Sequence, residues 1–170
     1  MQASRPDDFA EALTAQLPAL RRYAIALVGS LAAADDLVQD CIERALRQSI
    51  KLEELRSIAG WLRTILHNLY IDEIRRKRRQ GMSVDVADVE NHVSLISPPR
   101  DTAAMMDLER AMATLSVEHR QILLLVGLEG LNYREMADEL NVPIGTVMSR
   151  LARARERLRE AMTAKTDLDS

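Results

Sequence analysis

Apolar side chains return every third or fourth residue along most of this 170-residue chain, and the period lapses for any length only between residues 81 and 100. That spacing is the repeat of one face of an α-helix, so the chain reads as helix-forming on both sides of a single interruption. Phe9, Leu13, Leu17, Leu20, Ala24 and Leu27 form the first stripe. Pro18, which has no N–H to donate, is expected to break or kink it near Leu17, and Gly29-Ser30 to end it. Val38, Cys41, Ile42, Ala45 and Leu46 form the second stripe. Ahead of it stands Ala34-Asp35-Asp36, whose carboxylates suit the positive end of a helix dipole. Residues 47–57 are polar and mixed, and read as an interhelical loop. A third helix from about Ser57 to Arg79 carries Ile58, Trp61, Leu62, Ile65 and Leu69 on its apolar face. The stretch 81–100 contains Gly81, Ser97, Pro98 and Pro99, more acids than bases and no helical period. It is too long for a connection inside a compact domain and reads as a flexible interdomain linker.

Beyond the linker, Met105, Leu108, Met112 and Leu115 mark one helix, and Ile122-Leu-Leu-Leu-Val126 a shorter, deeply buried one. Asn132 with Glu135 three residues later is the pattern of a capping box. Asn141 follows Leu140 where a residue tolerant of the left-handed conformation ends a helix, and Pro143 suits the first turn of the next. Two short helices about a tight turn predict a helix-turn-helix. In its second helix Val147, Leu151, Ala154, Leu158 and Met162 are expected to be buried, with Thr146, Ser149, Arg150, Arg153 and Arg157 facing outward. The expectation is an all-α chain of two small helical domains, 1–80 and 101–170, joined by the linker 81–100. Composition agrees: aromatics are 3% of the chain, hydrophobic residues 47%, and there are only 6 Gly and 5 Pro, so the core is aliphatic and helical.

Charged residues at 29% and the lack of any apolar run near the ~18–20 residues of a membrane span exclude membrane insertion. The N-terminus lacks the basic start and apolar stretch of a signal peptide, so a cytoplasmic location is expected. Cys41 is the only cysteine, which excludes an internal disulfide and a multi-cysteine zinc site. On an apolar stripe it reads as a small core residue, with thiol redox sensing as the other reading. His67, His92 and His119 are scattered, no metal site or nucleophilic constellation is visible, and no glycine-rich phosphate loop is present. No cofactor is implied, and the chain is not expected to be an enzyme.

Charge is distributed unevenly. Residues 61–80 carry Arg63, Arg75, Arg76, Lys77, Arg78 and Arg79 against Asp72 and Glu73, a local +4. Residues 144–165 carry Arg150, Arg153, Arg155, Arg157, Arg159 and Lys165 against Glu156 and Glu160, again +4, leaving −11 for the rest of a chain whose total is −3. Two basic segments in a mildly acidic chain suit two polyanion contacts, where the plain alternative is two solvated helix faces. In the first segment Thr64, Asn68, Asp72, Arg75 and Arg79 fall at spacings of 4, 4, 3 and 4 and share one polar face that ends cationic, fit to lie on nucleic acid. Trp61 sits on the apolar stripe, which favours core packing over a role as a base-stacking platform.

Taken together, Ala34-Asp-Asp-Leu-Val-Gln-Asp-Cys-Ile-Glu-Arg-Ala45, Trp61-Leu-Arg-Thr-Ile-Leu-His-Asn-Leu-Tyr-Ile-Asp72 and Arg75-Arg-Lys-Arg-Arg79 resemble the first half of the extracytoplasmic-function (ECF) sigma factors of bacterial RNA polymerase. Gly130-Leu-Asn-Tyr-Arg-Glu-Met-Ala137 and Pro143-Ile-Gly-Thr-Val-Met-Ser-Arg-Leu-Ala-Arg-Ala-Arg155 resemble the second, and the likeness covers nearly all of residues 9–162. The Val-Met-Ser-Arg wording is similar to the general-stress branch of alphaproteobacterial members.

The resemblance implies a non-enzymatic specificity subunit that joins core polymerase and promoter DNA. Asp36, Gln39 and Asp40 match positions that dock on the β′ clamp helices, and the β flap is a further implied contact. Asn68, Asp72, Arg75, Arg76 and Arg79 match the segment that engages the −10 element and holds a flipped base, the loop 47–57 shaping the pocket. Unstacking a base costs a few kcal/mol, so cations and a pocket are needed to hold the strand. Thr146, Met148, Ser149, Arg150 and Arg153 match the recognition-helix positions at the −35 element, where arginine can read guanine bidentately. Gly145 lets that helix approach a phosphate, and Arg155 and Arg159 are expected to turn elsewhere. Many relatives are basic where this chain has Met148, which replaces a polar contact with an apolar one to a thymine methyl. Many also carry Arg near Val126, so a backbone contact is missing here. An anti-sigma factor that wedges between the domains or wraps them is a further implied partner. Read without the resemblance, residues 101–162 serve equally well in a stand-alone helix-turn-helix regulator that binds an operator as a dimer, and the basic helices in an adaptor for acidic proteins.

Overall fold

A computed structural model describes residues 6–48, 50–82 and 102–166. Among them are seven α-helices, one short 3-10 turn and no strand: α1 (Pro6–Val28), α2 (Leu31–Arg47), the turn Leu52–Glu54, α3 (Ile58–Arg79), α4 (Thr102–Ala113), α5 (Val117–Gly127), α6 (Tyr133–Leu140) and α7 (Ile144–Thr166). The chain divides into two compact units, one of residues 1–25 and 31–85, the other of 26–30 and 86–170. The expected linker lies outside the described residues apart from Gly81 and Met82.

In the first unit, Pro18 does not break α1, which runs unbroken from Pro6 to Val28. Pro18 and Thr14 are both exposed, so water can satisfy the carbonyl that the proline leaves unpaired. The helix ends as expected: Gly29 adopts φ 79°, a left-handed conformation that costs glycine little.

Leu31 opens α2, which places Asp35 and Asp36 beyond the first turn. The macrodipole therefore does not account for Asp35. Its carboxylate instead accepts a two-pronged bond from Arg21 of α1, Nε at 2.6 Å and Nη2 at 3.1 Å. That hydrogen bond, more than the charge itself, holds the Asp35 carboxyl below its usual range. The buried stripe of α2 is Ala34, Leu37, Val38, Cys41 and Ala45. Leu46, expected in that stripe, is 57% exposed: it is one step past Ala45 and the helix has already turned it outward.

Ser57 caps α3, its hydroxyl accepting from the Gly60 N–H at 3.1 Å. Leu62, Ile65, Leu66 and Ile74 are buried along this helix, and each apolar side chain of that size removed from water contributes about 1.5–3 kcal/mol. Trp61 is half-buried and packs its ring against Phe9 of α1, centroids 6.1 Å apart and tilted by 58°. The Cys41 thiol donates to the Leu62 carbonyl at 3.3 Å, stitching α2 to α3.

In the second unit, α5 is capped by Ser116, which accepts from the His119 N–H at 3.2 Å, and buries Ile122, Leu124 and Leu125. The capping box on α6 is complete. Asn132 Oδ1 accepts from the N–H groups of Arg134 and Glu135 at 3.0 Å each, and the Glu135 carboxylate accepts from the Asn132 N–H at 2.8 Å. Asn141 closes α6 at φ 51°, ψ 49°. Pro143 stands immediately before α7 rather than inside its first turn, and its carbonyl accepts from the N–H groups of Thr146 and Val147. Val147, Leu151 and Ala154 anchor α7, with Met136 of α6 and Leu115 ahead of α5 also buried in this unit. Met162, expected to continue the stripe, is 41% exposed.

Candidate nucleic-acid interfaces

On α3 the sequence places Thr64, Asn68, Asp72, Arg75 and Arg79 opposite the buried Leu62, Leu66 and Ile74, and all five are exposed. Arg76 and Arg78 are exposed as well. Thr64 turns its hydroxyl back onto the Gly60 carbonyl at 3.0 Å, which leaves Asn68 and Asp72 as the polar heads of the face. Neither is held by a hydrogen bond among the described residues, so both can meet a ligand without first breaking an internal contact. The arginines lie at the C-terminal end of the helix, where cations are favoured by its dipole.

Two members of the basic segment are not available in the same way. Lys77 Nζ is 2.7 Å from the Glu73 carboxylate one turn back. Arg63 is only 7% exposed and belongs to the interior of the unit. Counting charge along the sequence missed both, because pairing and burial depend on helix phase.

On α2, Asp36, Gln39 and Asp40 are exposed on the side away from Leu37, Val38 and Cys41. The Gln39 amide donates to Glu43 Oε1 at 3.3 Å, and Glu43 also meets Arg47 at 3.5 Å. Glu43 therefore extends this acidic face by one turn. The i, i+4 spacing from Gln39 was the signal that would have found it.

In the second unit, α7 carries a different surface. Gly145, Ser149 and Ala152 are exposed and share its outer crest at spacings of four and three. A Cβ built on Gly145 would meet no atom within 4 Å. Arg153 is exposed beside the crest, while Arg150 and Thr146 are half-buried further round, towards the core. The Ser149 hydroxyl donates to the Thr146 carbonyl at 3.1 Å and remains able to accept. Arg157 pairs with Glu160 at 3.2 Å. No ion pair ties Arg150 or Arg153 among the described residues. Arg155 and Arg159 lie on the other flank, which Met148 leads at 53% exposure. Sequence reasoning passed over Arg134, exposed in the first turn of α6. In helix-turn-helix proteins the first helix crosses the DNA backbone, which makes an exposed cation there a candidate for a phosphate contact.

No group of three or more His, Cys, Asp and Glu side chains among the described residues could hold a metal ion. Among the described residues no helix is long and apolar enough to cross a membrane. Cys41 is buried, and the loss of solvation pushes its thiol up to about 12, outweighing a backbone hydrogen bond from Leu66 that lowers it. Such a thiol is not a nucleophile at neutral pH.

Comparison with known proteins brings these surfaces together. Residues 105–158 match the family model "Sigma-70, region 4", and residues 13–67 match "Sigma2 domain of PhyR". The chain is 35% identical over 154 residues to the ECF RNA polymerase sigma factor EcfG of Rhodopseudomonas palustris, covering 89% of this chain and 83% of that one. It is 34% identical over 143 residues to the ECF sigma factor SigE of Mycolicibacterium smegmatis, covering 82% of this chain and 55% of that longer protein. Among solved structures, the sigma factor RpoE of Bartonella quintana, crystallised with the anti-sigma factor NepR, superposes with a TM-score of 0.71 at 32% identity, covering 92% of this chain and 98% of that one. A capped helix-turn-helix in one unit, a cationic third helix in the other and relatives that match along both lead to one assignment: the chain belongs to the ECF sigma factors of RNA polymerase.

Proposed function

We propose that this sigma factor directs initiation by dividing promoter recognition between the two domains read from its sequence, residues 1–80 serving the −10 element and 101–170 the −35 element. The observation that carries the division is that each unit exposes one cationic helix, α3 with Arg75, Arg76 and Arg79 in the first and α7 with Arg153, Arg155 and Arg159 in the second. On α3, Asn68 and Asp72 supply donors and acceptors for an extruded base, and Arg75, Arg76 and Arg79 hold the strand's phosphates. Phosphate contacts set position and base contacts set sequence, so the arginines govern affinity and Asn68 and Asp72 govern which base is held.

On α7, Arg153 and Arg150 reach base edges or phosphates, with Ser149 and Thr146 at the groove wall and Met148 making an apolar contact. The exposed carboxylates Asp36 and Asp40, with Gln39, form the surface for the β′ clamp helices, and the second unit meets the β flap. Polymerase supplies the chemistry, so the chain itself acts as a DNA-binding subunit and catalyses nothing. The likeness to a sigma factor crystallised with an anti-sigma factor supports the same kind of control here, an inhibitory partner occupying the polymerase-binding surfaces until a signal releases it.

The test mixes the purified chain with bacterial core RNA polymerase and reads two outcomes, co-elution and transcripts from a genomic promoter library. Co-elution with transcripts that share −35 and −10 motifs is expected. Association without shared motifs would sink the division of labour between the units.

A further inference from the structure

The first two turns of α7 expose two large apolar side chains where a surface helix ordinarily carries polar ones. Ile144 is 47% exposed and Met148 is 53% exposed. Four residues apart, they form one ridge about 6 Å long on the helix surface. The ridge borders a crest of Gly145, Ser149 and Ala152, all small and exposed, so the backbone can sit deep in a groove and a long side chain beside the crest reaches the groove floor. Further along, the same flank changes character: Arg155 follows Met148 by seven residues and Arg159 by eleven, both exposed.

We infer that Ile144 and Met148 together read thymine methyl groups on neighbouring base pairs of the −35 element. The inference rests on the proposed −35 role of α7 and names what its apolar flank selects. In the major groove the C5-methyl of thymine is the one apolar feature that a base pair presents, and an apolar side chain is its natural partner. A ridge of about 6 Å spans roughly two base-pair steps of ~3.4 Å, so each side chain addresses its own step. The occupant is a polyanion rather than an apolar protein groove, because the flank that carries the ridge continues into the exposed Arg155 and Arg159, and Arg153 stands across the crest.

The experiment uses the chain assembled with core polymerase. The −35 element is located by footprinting, and each thymine in it is replaced in turn by deoxyuridine, which removes the methyl and nothing else. The expected result is one or two adjacent positions where the replacement weakens promoter binding about fourfold, the value of one buried methyl-sized group. Met148→Ala abolishes that sensitivity at one position and Ile144→Ala at its neighbour, while both variants, altered only at exposed side chains, keep the wild-type circular dichroism.

A footprint equally strong on thymine and deoxyuridine throughout overturns the inference alone, as does a −35 element with no thymine beneath α7. A Met148→Ala variant that loses affinity for core polymerase while its thymine preference is unchanged also overturns it and marks a protein contact instead. Absence of any −35 footprint overturns the role of α7 as well.

Discussion

Arg63 and Arg75 stand on one helix with one charge each, yet only Arg75 is open to a phosphate, because Arg63 is 7% exposed. Helix phase decides between them, and phase likewise sets Arg153 beside the open crest of α7 while Arg150 and Thr146 sit half-buried. Arg153→Ala is expected to reduce −35-dependent initiation by ~1–3 kcal/mol if its lost contact is a bidentate base pair. Initiation measured on promoters with intact and scrambled −35 elements reads this out, and equal losses on both would assign Arg153 to phosphate alone. Cys41 illustrates the opposite fate. Its thiol, pushed up to about 12 by burial, is protonated across the physiological range. At a pH of about 8.5, where a free thiol is half ionised, alkylation should proceed only as fast as the unit opens. Rapid labelling of the folded chain in native mass spectrometry would restore the redox-sensing reading.

At the scale of elements, local chemistry fixes where the helices of the helix-turn-helix begin and end. The capping box binds both ends of the first turn of α6, and Asn141 turns the chain in the left-handed conformation. Asn132→Ala removes two accepted bonds and is expected to cost ~1 kcal/mol, a Tm loss of about 4–8 °C for a domain of this size. Asn141→Gly should be close to neutral, since glycine adopts the same backbone without strain. Thermal unfolding of the two variants side by side distinguishes a lost cap from a lost turn. These elements were legible in the sequence because caps and turns are made by residues within a few positions of one another. The break expected at Pro18 does not occur, and the reason is not local: Thr14, whose carbonyl the proline orphans, is exposed to water, and which face is exposed is decided by the fold.

For the molecule as a whole, the proposal separates three tasks onto three surfaces, and substitutions should separate them too. Asn68→Ala is expected to leave association with core polymerase intact and to slow open-complex formation. Asp40→Arg should do the reverse, blocking association through like charge against a basic partner surface. Gel filtration with core polymerase and a permanganate assay for melted DNA read the two steps independently. Loss of core binding in Asn68→Ala would mean that α3 serves polymerase and promoter at once. Because the arginines act through phosphates, promoter affinity should also fall steeply with salt, with Arg75→Ala and Arg79→Ala each making that slope shallower by about one.

By itself the sequence determined the helical class and the capped turn of the helix-turn-helix, since each follows from spacing within a few helical turns, and it carried the motifs whose wording resembles a sigma factor. What only the tertiary structure decided is which of several neighbours on a helix is turned to solvent. Leu46 and Met162 continue apolar stripes in the sequence but stand exposed, Arg63 is drawn inside, and Asp35 is committed to Arg21 of another helix. The period of an α-helix is 3.6 residues, so a stripe read at threes and fours drifts around the axis. Where it leaves the core depends on the partner helix, whose position no local spacing records.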